Sequence, residues 1–369
     1  MISLFCHVSI RSSTRRCFAF QPRFAGRISS NRRLCATSNV SSKVYGPVPV
    51  RTDAPTHLDG VEDAVDAALL YYQSQIPNNN TIICAHDTIT TFPAADRETI
   101  GVASKLRKRL DSLARNKDCR RCWLQTRHCV CGSCPPLEEE NATASASCGG
   151  IDNVNRIFLL THHKEICMVV DTAKIILSSF PSTARLVVNG IGREFQPSIA
   201  EMLDAYNDAL IGRSKCLILF PTEDAKTFED IEKENDLYQR GSFLQDENGC
   251  DVIVIDGTWN QARKMHAKYF PDESKEGLYR VQLSSNVVEL LGGDSNDIKG
   301  HQLRRHPTKW REISTHEATR LLFKDMHIGG QFEEQSKAMS HYQEILNSAA
   351  RRQLGPPREK GQAMIHPSS

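Results

Sequence analysis

The chain has 369 residues, 40% of them hydrophobic, enough to bury a substantial core in one main domain with appendages. No stretch approaches the roughly 20 uninterrupted apolar residues of a membrane-spanning helix, so a bilayer span is not expected. The formal charge of +2 excludes a general attraction to nucleic acid, and any RNA contact must rest on local basic patches.

That small charge conceals an asymmetry. Residues 1–50 hold eight Lys/Arg and no Asp or Glu, which leaves residues 51–369 at −6, the chain's +2 less those eight. Arg11, Arg15, Arg16, Arg23, Arg27, Arg32 and Arg33 are spaced among Ser and apolar residues, the composition of an organellar transit peptide for mitochondrion or plastid. A secretory signal would need a longer apolar core than residues 1–10 provide. The alternative is a disordered basic leader, idle or in contact with RNA.

Residues 51–117 read as a helical N-terminal region. Val61, Val65, Ala68, Leu69 and Tyr72 mark a helix over 57–75. Ile100, Ala103, Leu106, Leu110 and Leu113 mark another over 96–117, whose other faces carry Lys105, Arg107, Lys108, Arg109 and Arg115. A solvated charged face and an RNA contact are the two readings of that basic surface.

Next come Cys119, Cys122, Cys129 and Cys131, a C-x2-C-x6-C-x-C cluster, with Cys134 a further thiol and His128 a substitute ligand. Two closely spaced thiol pairs suit one tetrahedral zinc better than two disulfides, and all-Cys ligation makes the site structural, with no open position for catalysis. Cys84, Cys148, Cys167, Cys216 and Cys250 share no spacing and read as small apolar residues.

Residues 138–150 read as a flexible link. Beyond it, apolar runs at 157–160, 184–188, 216–220 and 252–255 alternate with helical stretches at 172–180, 198–210 and 259–270. This is the pattern of an α/β fold with a mainly parallel sheet and flanking helices. Residues 331–369 are expected to form a C-terminal helix and, from about 350, a disordered tail.

The most informative run is Asp251-Val-Ile-Val-Ile-Asp-Gly-Thr-Trp259. It reads as a buried strand ending in Asp256, a turn at Gly257 and a helix entered through Thr258. Carboxyl ends of parallel strands are where α/β proteins gather ligands, which makes Asp256 a candidate site residue; Thr258 has the further option of capping the helix.

An Asp-x-Thr-Trp signature after a strand, preceded by that cysteine cluster, resembles the DTW-domain family of tRNA-uridine aminocarboxypropyltransferases. Further segments are similar in order: Leu159-Leu-Thr-His-His-Lys-Glu165 to its H-P-x-E element, aligned on His162 and Glu165 with His163 in place of proline; Asp171-Thr-Ala-Lys174 to its N-T-G-R element; and Leu219-Phe-Pro-Thr222 to its L-Y-P-S turn. Leu303-Arg304-Arg305 and Ile313-Ser-Thr-His-Glu-Ala318 resemble its late L-R and S-T-x-E-A elements, so the likeness spans about 119–325. A DTW domain over 118–330, including a cluster at 119–134, is the resulting expectation.

The resemblance implies a sheet domain related to the SPOUT methyltransferases and the transfer of an aminocarboxypropyl group from S-adenosylmethionine to the imide nitrogen of a tRNA uridine. Asp256 would accept or orient the imide proton, with Thr258 beside it and Trp259 stacking on adenine or uracil. The co-substrate would be held among His162, Glu165, Leu219, Pro221, Thr222, Asp256, Arg304, Ser314 and Thr315. Arg263, Lys264 and Lys268 would add phosphate contacts. A ribosomal-RNA enzyme, an RNA methyltransferase and a zinc-stabilised RNA-binding adaptor are the competing readings; neither the oligomeric state nor the target uridine is encoded legibly.

Overall fold

The computed structural model describes residues 56–76, 91–138, 151, 153–237, 249–272, 275, 277–284, 314–326 and 332–355. All of them belong to one compact unit, Ala54–Ser369. The expected leader, Arg304, Arg305 and the segment after Gly355 lie outside the described residues.

Helices α1 (His57–Ser74) and α2 (Ala94–Arg115) precede the cysteine segment. The body then runs β1 (Val154–His162), α3 (Ala173–Ser179), β2 (Ala184–Asn189), α4 (Pro197–Leu210), β3 (Cys216–Leu219), α5 (Phe228–Leu237), β4 (Cys250–Asp256), α6 (Trp259–Tyr269), β5 (Leu278–Val281), α7 (Thr315–Met326) and α8 (Glu333–Leu354). Five strands form one sheet in the order β2-β1-β4-β3-β5, and every pairing is parallel.

Continuous apolar runs make these strands because both faces of the sheet are covered. Alternate residues divide between two cores: Ile157, Leu159, Val252 and Val254 face α3, α7, α8 and the α1–α2 hairpin, whereas Phe158, Leu160, Ile253 and Ile255 face α4 and α6. Each fully buried side chain of this kind contributes about 1.5–3 kcal/mol of transfer free energy.

Four-residue β5 has no apolar run because it contains Arg280, buried at the sheet edge. Its guanidinium donates to the Phe270 carbonyl (3.0 Å), to His266 Nε2 (3.0 Å) and to the Asp224 carboxylate (3.0 Å), which makes burial of that charge tolerable. The basic helix α2 is also less solvated than its sequence implies: Arg107 pairs with Glu62, Asp66 and Asp111, each at 2.8 Å, fastening α2 to α1. Among the described residues no helix is long and apolar enough to cross a membrane.

Candidate active site and metal centre

After α2 the chain folds into a tight knuckle. The Cys119 amide donates to the Leu124 carbonyl (2.7 Å), the Trp123 amide to the Cys119 carbonyl (2.9 Å), and Trp123 takes a positive φ of 56°. A second turn, closed by the Ser133 amide on the Val130 carbonyl (2.9 Å), brings the other thiol pair alongside.

The Sγ atoms of Cys119, Cys122, Cys129 and Cys131 lie within 4.8 Å of one another, with Cys119–Cys131 at 3.6 Å and Cys122–Cys129 at 3.8 Å. Metal–sulfur bonds of about 2.3 Å at tetrahedral angles place sulfurs about 3.8 Å apart, so the four thiols fit a single ion. Mutual thiol hydrogen bonds lower Cys119 and raise Cys122 and Cys131, so the four titrate as one cluster rather than as separate thiols. His128 and Cys134 stay outside this cluster, and burial pushes the Cys134 thiol up to about 11. Burial likewise raises Cys167 and Cys250 to about 12, as expected of packed, unreactive thiols.

The second centre lies at the carboxyl edge of the sheet. Thr161 of β1 pairs in register with Asp256 of β4, and Leu219 of β3 pairs with Val254, so Pro221 follows two residues later toward the level of Asp256. The exit from β1 leads to α3 on one face, and the exit from β4 leads to α6 on the other. Diverging exits of this kind open the crevice where parallel α/β sheets bind ligands.

Asp256 is buried there, and its Oδ1 accepts the Thr315 hydroxyl at 2.7 Å. Gly257 fits because a Cβ would come within 3.3 Å of Gln261 and Met265. Thr258 is the N-cap of α6, in a capping box whose Gln261 Oε1 accepts the Thr258 amide at 2.7 Å. Trp259, at 43% exposure, is a surface residue whose ring lies 6.0 Å from Phe220, which leaves an indole face available for stacking.

His162 and His163 stack at 4.4 Å at the end of β1, and Glu165 is buried in the turn that follows. Burial depresses both imidazoles, His163 to about 4, with help from His162, Lys105, Lys164 and Arg109. Beyond β3, the Thr222 hydroxyl is buried and meets no partner among the described residues. Ser314 instead caps α7, accepting the Glu317 amide at 3.2 Å. Lys268 is drawn away from any ligand by Glu98 at 2.9 Å.

Two residues gain importance from the structure. Asp171 is fully buried with Oδ1 on the Ala173 amide (3.1 Å), while its Oδ2 has no hydrogen-bond partner among the described residues. Burial, and then the neighbouring charge of Asp256, push its carboxyl well above the usual range, so the two carboxylates act on one another. Lys174, equally buried, donates to the carbonyls of Met168 (3.2 Å) and Val169 (2.9 Å) and lies 5.5 Å from the centre of the Trp123 ring. Burial lowers it to about 8, against the attraction of Asp171, Cys122, Cys167 and Cys119. A buried cation thus stands between the site carboxylate and the cysteine centre. In sequence both lie in the Asp171-Thr-Ala-Lys174 segment that resembles the N-T-G-R element, but nothing there showed their burial or their mutual effects.

A comparison with protein families finds the DTW domain over residues 116–351. No curated protein and no solved structure matched the chain. The matched span starts just before Cys119, ends inside α8, and encloses both the thiol centre and the Asp256 crevice; this chain therefore belongs to the DTW-domain family.

Proposed function

We propose that the protein transfers the 3-amino-3-carboxypropyl group of S-adenosylmethionine to the imide nitrogen of a uridine in tRNA. The observation that carries this reading is the buried Asp256 at the carboxyl edge of β4, hydrogen-bonded to Thr315 and near enough to Asp171 for its charge to be felt there, in a DTW-domain chain. Burial and the charge of Asp256 both favour the protonated form of Asp171, against the pull of Lys174. In this reading Asp171 is the neutral partner and Asp256 the proton acceptor.

In the reaction, the Asp256 carboxylate takes or orients the proton of the uracil imide. The nitrogen forms a bond to the terminal carbon of the aminocarboxypropyl arm as that carbon's bond to sulfur breaks. The bonding pair leaves on the sulfur of methylthioadenosine. All three carbons on a sulfonium are activated, so which one is transferred is a matter of which faces the nucleophile.

In this reading Trp259 stacks on a base, and Thr222, Thr315, His162 and Glu165 line the co-substrate pocket together with Leu219, Pro221 and Ser314. The thiol centre holds a structural zinc that fixes the knuckle and, through Trp123 and Lys174, the turn bearing Asp171. We further propose import into a mitochondrion or plastid, on the composition of residues 1–50.

The test is mass analysis of nucleosides from tRNA incubated with protein and S-adenosylmethionine. Aminocarboxypropyluridine supports the proposal; a methylated nucleoside makes the protein a methyltransferase; modification of ribosomal RNA alone moves the substrate; and absence of S-adenosylmethionine binding leaves an RNA-binding adaptor.

A further inference from the structure

Several cations near the site are already neutralised. Arg107 and Arg120 are held by Asp59, Glu62, Asp66 and Asp111, and Lys268 by Glu98. Three at the end of β1 differ. Lys105 and Arg109 stand one turn apart on the same face of α2, and Arg109 Nη1 donates at 2.7 Å to the carbonyls of both Lys164 and Ile166. That pair of hydrogen bonds fastens α2 to the turn leaving β1 and sets Lys105, Arg109 and Lys164 around the stacked His162–His163 pair, where the charge of each is felt.

Lys105 and Lys164 are exposed, and among the described residues none of the three cations has a carboxylate partner. The carboxylate nearest the pair in its effects is Glu165, which is buried and favours the charged form of His162. The pair supplies a second sign of an anion site: both ring nitrogens of His163 are buried without a hydrogen-bond partner among the described residues. Register places this cluster beside the reactive carboxylate, because Thr161, the residue before His162, is the in-register neighbour of Asp256.

We propose that Lys105, Arg109 and Lys164 form the edge that grips the RNA backbone next to the target nucleotide. This deepens, and rests on, the reading of the protein as a tRNA-modifying enzyme. A polyanion suits the edge because the chain beyond residue 50 is net negative, so three unpaired cations gathered at one place are a local attraction against the general charge. Phosphates there would lay the strand past the end of β1, with the next nucleotide reaching Asp256 and the exposed ring of Trp259.

The test uses the full chain and an unmodified tRNA transcript, with affinity measured by fluorescence anisotropy across a salt series. Lys105→Gln/Lys164→Gln leaves Arg109 bonded to the turn and should weaken binding about tenfold near 0.1 M salt. It should also make the slope of log affinity against log salt shallower by about two, while Lys105→Arg/Lys164→Arg restores both. Lys233→Gln/Lys337→Gln, which removes two lysines paired elsewhere on the surface, should leave the slope unchanged.

An unchanged slope in the Lys105/Lys164 double variant, with wild-type tRNA binding intact, overturns the proposal and leaves the enzymatic reading standing. Failure of the wild type to bind tRNA while binding S-adenosylmethionine in a calorimeter overturns both the edge and the tRNA substrate. Binding to phosphatidylserine vesicles with no tRNA binding assigns the edge to a membrane surface and overturns it equally.

Discussion

In the proposed reaction Asp256 and Asp171 divide one task between two like groups, and substitution separates their parts. Asp256→Asn keeps the shape and the contact with Thr315 but removes the proton acceptor. Single-turnover transfer should fall at least ~100-fold, with melting temperature and S-adenosylmethionine affinity retained. Asp171 is expected to work as a neutral, protonated group, so Asp171→Asn should keep transfer within about tenfold, whereas Asp171→Ala should lose more. If the Asn variant is as inactive as Asp256→Asn, the charge resides on Asp171 and the roles are reversed. The place of Asp256 at the end of a strand was legible in the sequence because a buried apolar run led to it and a glycine turn followed. The coupling to Asp171 was not legible, since the two lie 85 positions apart and only the parallel sheet brings their loops together.

Among the elements, the strands β1 to β4 announced themselves through apolar runs, and the cysteine knuckle through its spacing. β5 escaped because its four residues include a charge whose partners lie on other elements, and α8 shows why polar positions mislead: Ser336, Gln343 and Asn347 are all buried in it. The knuckle should bind one zinc per chain by elemental analysis of protein purified without chelator. Cys119→Ser/Cys122→Ser should lose the metal, and retention at full stoichiometry would remove the assignment.

His266 makes a pH prediction of its own. It stacks on Phe220 at 4.7 Å and accepts the Arg280 guanidinium on Nε2, and burial followed by the charge of Arg280 lowers it to about 4. A base whose folded pKa lies below its unfolded value of about 6.5 leaves the fold at full stability above that pH; stability is lost as pH falls from about 6.5 toward 4. The urea midpoint should drop over this window, and His266→Gln, which retains an acceptor but cannot titrate, should drop less. Parallel curves for the two proteins would exclude His266 as a contributor.

For the whole molecule, all described residues belong to the unit from Ala54 onward, so a chain starting there should melt at the same temperature as the full chain and show the same transfer activity. Residues 1–60 fused to a fluorescent reporter should direct it to mitochondria or plastids, and a diffuse cytosolic signal would count against the import proposal.

Helix α8 ties the two centres together. Its Tyr342 hydroxyl donates to the Pro135 carbonyl (2.9 Å), and its Gln353 accepts the Gln125 amide (2.9 Å), both in the cysteine segment. Its Gln343 is bonded to His316 Nδ1 (2.7 Å) and donates to the Ser314 hydroxyl (3.3 Å), straddling Thr315, the residue that holds Asp256. The order of synthesis follows from this. A ribosome will have released the knuckle and all five strands before Glu333 is made, so the nascent protein has its sheet while Thr315 still lacks its clamp. On the proposed activity, competence would arrive late and abruptly, with the emergence of one helix, and a premature stop near residue 331 should leave one face of the sheet uncovered and abolish transfer.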